Sequence, residues 1–142
     1  MINLFFFQTV GDIDGLKQLI TSLKEKQASI DIEVYDAYLM LLSSLGKSKE
    51  MLGVLDEMET HGYKIRTHNN MQLITSYLVK GDWEYVVNTL FPRMREEGIH
   101  PTTTAWNRVF TTVEMLEGKE KAAEMIKMVV FYLFYTFELD FF

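Results

Sequence analysis

Three kinds of side chain in this sequence could do chemistry: the histidines, the paired carboxylates and the cations. The histidines are His61, His68 and His100. Each falls near a predicted helix end or in a loop. No two share the i, i+4 spacing around a carboxylate that would set imidazoles on one helix face for a metal. They read as solvent-exposed loop residues, and no metal site is expected. Glu57 with Glu59, and Glu96 with Glu97, lie on helix surfaces. Glycoside hydrolysis needs two carboxylates facing each other across a sugar bond; these are solvated faces. The absence of cysteine removes disulfides, thiolate zinc sites and a thiol nucleophile. The eight glycines are scattered as turn residues, not gathered into a phosphate loop. Nothing specifies an enzyme or a cofactor, so the remaining chemistry is recognition.

The elements that would position such residues come in pairs. From Ile32 to Arg66, the residues Tyr35, Tyr38, Leu39, Leu42 and Leu45 recur at spacings of three and four, one apolar stripe of a helix. Gly46 and Lys47 interrupt it. Met51, Leu52, Leu55 and Met58 repeat the stripe, and Gly62 stands where a helix end favours a left-handed backbone. Neither helix is long enough to be stable alone. The pattern restarts at Thr67 and again at Thr103, with Asp36, Met71 and Asn107 in one repeat position, 35 and 36 residues apart. Residues 11–31 read as the second half of a further copy. The expected division is a partial repeat over 1–31, then repeats at 32–66, 67–102 and 103–137, with an aromatic tail to 142.

Helices are expected near 2–10, 13–26, 33–45, 48–61, 68–80, 83–97, 103–116 and 119–135. Pro92 lies inside the sixth, where it removes a donor and crowds the carbonyl of Asn88. The same repeat carries the one extra residue, so a local bulge there would absorb both. A fixed period of helix pairs is the signature of an all-α helical solenoid, each unit burying its face on its neighbours.

A recurrent helix ending, Asp56-Glu57-Met58 with Gly62 and Met94 with Gly98-Ile99-His100-Pro101, goes with the aromatic-polar pairs Tyr35-Asp36 and Trp106-Asn107. With the turns at Gly46, Gly81 and Gly118 and the run Lys121-Ala122-Ala123-Glu124, this resembles the pentatricopeptide repeat family over about residues 11–129. The resemblance implies a right-handed α-α superhelix of helix-turn-helix pairs, binding single-stranded RNA at about one base per repeat. It implies a role in processing, splicing or stability of transcripts in a mitochondrion or chloroplast. By resemblance the reading residues are the fifth of each repeat (Asp36, Met71, Asn107), the last (Asp31, Arg66, Thr102) and the second, which packs on the base (Glu33, His68, Thr104).

A short amide or hydroxyl at a helix start can present a donor and an acceptor to a Watson–Crick edge. Asn107 and Thr102 fit that, and Asp31 suits its place. Met71 offers no hydrogen bond, although neighbouring Asn70 would serve if the frame slips by one. Asp36 and Arg66 could neutralise each other, and Glu33 is a poor platform for a base.

Charge weighs the other way. The formal net charge of −6 is awkward for a nucleic-acid binder. Lys47, Lys49, Lys64, Arg66, Arg93, Arg95, Lys119, Lys121 and Lys127 sit in second helices and their ends, so the first helices carry no basic stripe. The alternative is a scaffold that binds a protein partner or self-associates into a homodimer through apolar end helices. Residues 1–10 lack the marks of a signal or transit peptide. The tail from Val129 to Phe142 has too short an uncharged core for a membrane span. Two expectations stay open for the ends. Phe5-Phe6-Phe7-Gln8 is what a pyrimidine-rich tract ending in CAG would encode, making both ends translated non-coding sequence. Otherwise Leu4–Val10 is the first helix of the incomplete repeat and the tail is a far-end cap.

Overall fold

Four of the helices end in the same local hydrogen-bonded closure beside a left-handed residue, and the one that opens the described chain starts on a side-chain cap. The computed structural model describes residues 11–140, with side chains from Gly11 to Phe131; the expected helix near 2–10 lies outside the described residues. The described residues form seven helices and no strand, an all-α protein. They divide into two compact units, one ending at Lys80 and the other beginning at Gly81.

The first unit holds α1 (Ile13–Glu25), α2 (Ile32–Ser44), α3 (Ser48–Thr60) and α4 (Thr67–Val79). Asp12 opens α1 by accepting the Gly15 N–H at 2.9 Å. Helix α1 closes as Ala28 N–H reaches back to the Leu23 carbonyl at 2.9 Å, with Gln27 at φ +53°. The same closure ends α3, where Tyr63 N–H meets the Met58 carbonyl at 2.9 Å beside Gly62 at φ +87°. This six-to-one bond satisfies a carbonyl that the helix leaves orphaned, and it needs a left-handed residue.

Helix α2 is buried nearly all round, through Val34, Tyr35, Ala37, Tyr38, Leu39, Leu41 and Leu42. It packs against α1, α3 and α4, which is why one stripe underestimates its apolar surface. Leu45 and Leu52, expected in the stripes, are exposed. Small residues let α4 approach closely. Ser43 Oγ donates to the Gln72 carbonyl at 2.7 Å, and the buried hydroxyls of Ser48 and Ser76 lie 2.9 Å apart. A Cβ on Gly46 would stand 2.9 Å from Lys80 Cγ.

The second unit holds α5, α6 (Thr103–Glu117) and α7 (Lys119–Asp140). Helix α5 runs as Trp83–Tyr85, a π turn over Val86–Leu90, and Phe91–Glu96. Its end repeats the closure already seen, with Ile99 N–H on the Met94 carbonyl at 2.8 Å and Gly98 at φ +78°. Buried Met51 and Val86 are 35 positions apart, whereas buried Met58 and Met94 are 36 apart. The extra residue therefore enters between Val86 and Met94, where the helix widens, just before Pro92. A π turn inserts one residue into a helix while keeping the faces before and after it in register. Helix α7 runs five residues beyond its expected end at 135, since the run after Val129 contains no Gly or Pro to stop it.

Candidate nucleic-acid interface

The nine residues singled out by resemblance fall into two groups with different surroundings. In the first unit, Asp36 on the second turn of α2 is half-buried beneath the start of α4. Its carboxylate accepts from the Arg66 guanidinium in an ion pair. Asn69 Nδ2 donates to it at 3.3 Å, and His68 Nε2 stands 3.4 Å away. Fifth, last and second repeat positions are thus brought together, but onto one another. Asp31 and Glu33 are exposed at the start of α2, and Met71 is half-buried on α4. Asn70 is half-buried too.

Asn69 was not legible as a site residue. It is fully buried, and its Oδ1 accepts the Arg66 N–H at 3.0 Å while its Nδ2 faces Asp36 and also Gln72 Oε1 at 3.3 Å. The signal available was its spacing, an amide three residues past a helix start. It fixes the backbone of Arg66, and so the direction in which that guanidinium leaves the chain just before α4.

In the second unit, Thr102 precedes α6, Thr104 and Asn107 lie on its first turns, and all three are exposed. Thr102 Oγ1 accepts the Ala105 N–H at 3.1 Å, so this hydroxyl caps the helix and orients its first turn. Trp106 lies between Phe91, edge-on at 4.7 Å, and Phe110, stacked at 5.7 Å. This packing fixes the face from which Asn107 projects.

Some cations of the first unit are tied to acids of the same unit. Lys24 pairs with Glu57, and Lys47 with Glu50 at 3.8 Å. Burial of Tyr35, aided by the nearby charge of Glu57, pushes its phenol up to about 12. Tyr38 is raised by burial and then by Glu50. Among the described residues no cluster of His, Asp and Glu could hold a metal ion, and no helix is long and apolar enough to cross a membrane. Compared with protein-family models and with curated proteins, the chain matches none.

Proposed function

We propose that this chain is a short array of pentatricopeptide-like helix pairs, stacked as a right-handed superhelix, that binds single-stranded RNA. The observation that carries the reading is that one helix closure, which also ends α2 at Leu42–Lys47, recurs at Leu23–Ala28, Met58–Tyr63 and Met94–Ile99, 35 and 36 residues apart, with the next helix starting four residues after each of these three. It supports a repeat in which the residues after each closure start a first helix at a fixed phase. The exposed Thr102, Thr104 and Asn107 are the best-placed reading residues. Asp31, Glu33, Arg66 and Met71 would contribute less, and Asp36 with His68 least, because Asp36 already holds Arg66. Few phosphate contacts and about three and a half repeats give weak binding with a shallow salt dependence. Its setting would be transcript processing, splicing or stability in a mitochondrion or chloroplast. The test compares Asn107→Ala with Asn88→Ala by anisotropy of labelled RNA. Asn107→Ala should weaken binding; equal affinities would remove the site assignment.

The second reading is a protein-binding scaffold, favoured by the exposed apolar residues Ile126, Met128, Val130 and Phe131 on α7. A homodimer through that helix is its simplest form. Against stacking of a further pair, the places that Ser43 and Ser48 fill in the first unit are Glu114 and Lys119 in the second, both exposed. Charge at those places suits a solvated end.

A further inference from the structure

Within the first unit, α1 and α3 both pack on α2 and face each other across a groove of about 400 Å³. Their ends, at Gln27–Ala28 and His61–Tyr63, line one hollow, so the two helices run in the same direction. The α1 wall of the groove carries Lys17 and Lys24, and the α3 wall carries Glu50 and Glu57, each pair two turns apart. Lys24 and Glu57 meet in an ion pair. The same offset of 33 positions sets Lys17 across from Glu50. Among the described residues no ion pair joins these two, and Glu50 stands 3.8 Å from Lys47 instead. One rung of opposite charges is closed and the next is open.

The space between the rungs is shaped to hold a ligand. Tyr38 reaches it from α2, with Ile20 and Val54 on the two walls. Tyr38 is only 7% exposed, yet its hydroxyl has no hydrogen-bond partner among the described residues. A phenol so deeply placed usually finds one. Burial, and then the charges of Glu50, Asp14 and Glu57, hold its proton in place, which leaves it a donor. Gly53 lies on the α3 wall, where an added Cβ would meet nothing within 4 Å. Glycine weakens a helix interior, and no neighbour is close enough to require it here. Its missing side chain keeps the groove open between the rungs.

We propose that the open rung binds a free α-amino acid with an apolar side chain. Its carboxylate accepts from Lys17, as Glu57 does from Lys24, and from the hydroxyl of Tyr38. Its ammonium donates to Glu50, and its side chain lies over Gly53 between Ile20 and Val54. A zwitterion suits an open rung because it brings the opposite charge to each wall at once. A ligand with a single charge satisfies one wall only. The volume is toward the lower end of ligand pockets, roughly 300–1,000 Å³, which favours a single amino acid over a longer peptide.

The test is heteronuclear NMR of the full chain titrated with leucine, beside leucinamide, which lacks the carboxylate, and N-acetylleucine, which lacks the ammonium. Leucine should shift the Gly53 amide along a saturable curve, and each analogue should bind at least about tenfold more weakly. Lys17→Met and Glu50→Gln should each weaken leucine about tenfold. Gly53→Val puts a side chain into the groove. It should abolish binding while the helical signal stays and the denaturation midpoint rises, since valine is the better helix former. If Gly53→Val unfolds, the two charge variants decide the matter. Absence of a saturable shift at millimolar leucine, equal binding of leucine and either analogue, or binding unmoved by the substitutions would overturn the proposal.

Discussion

The carboxylate of Asp36, on the second turn of α2, is held by the guanidinium of Arg66, the residue that precedes α4. The bond joins α2 to the start of α4 at positions 30 residues apart. It turns a candidate reading residue into a clasp. Replacing Asp36 with alanine should cost about 1 kcal/mol, since the pair is partly exposed and screened. It should leave RNA affinity unchanged or raised, because an acid is removed. Urea unfolding followed by circular dichroism, with RNA anisotropy on the same sample, checks both; a clear fall in RNA affinity would return Asp36 to the reading set.

Two glycines should respond in opposite directions. Gly46 has φ +70°, and an added Cβ would press on Lys80 Cγ and sit 3.4 Å from the Ser76 carbonyl oxygen. Gly46→Ala should therefore destabilise by about 1–2 kcal/mol. Gly53 lies within α3, and a Cβ added there would meet nothing within 4 Å. At that position alanine should stabilise by about 0.5–1 kcal/mol, through helix propensity and a less flexible unfolded chain. Denaturation midpoints of the two variants should move apart; a shared direction would contradict these local geometries.

The π turn makes a prediction about length. Deleting Asn88, exposed within Val86–Leu90, would return the spacing between Met58 and Met94 to 35 residues. The deleted chain should fold with α5 as a regular helix up to Pro92, and its melting temperature should stay within a few degrees of the parent. Loss of cooperative melting would mean that the extra residue is needed and is not merely absorbed.

Alkali should unfold the first unit through its tyrosines. Tyr35 holds its proton up to about 12 when folded, against 10.0 ordinarily, and Tyr38 is raised in the same direction. Below pH 10 both states are protonated and the phenol's contribution to stability is complete. As pH rises through about 12 the unfolded chain has already released its proton, so stability falls by on the order of 2 kcal/mol for Tyr35. Tyr35→Phe should flatten that loss, read as the helical signal from about pH 9 to about pH 12. An unchanged pH profile would place the sensitivity elsewhere.

Much of this was legible in the sequence. The period, the paired helices and the turns at Gly46, Gly62 and Gly98 follow from apolar spacing and left-handed backbone needs, and the bounds of α1 to α4 come within one residue of expectation. The bulge near Pro92 was legible because one extra residue and one proline fell in the same helix. Its place within the helix was not, since only the buried pairs Met51–Val86 and Met58–Met94 bracket it. Periodicity could not tell that Leu45 and Leu52 face outward, because a stripe gives the angle of a face and not its width. Nor could it show Asn69 buried under Asp36, which depends on two helices meeting. The pairing of Lys24 with Glu57 depends on which side chains α1 and α3 bring together, which spacing within one helix does not give.

The central claim is RNA recognition, and the most direct measurement is fluorescence anisotropy of a labelled random single-stranded RNA pool, at two salt concentrations, with mass followed by light scattering. Saturable binding that weakens with salt, and weakens further with Asn107→Ala, is the predicted result. A folded, monodisperse protein that binds no RNA at low salt would contradict it and leave the scaffold reading in its place.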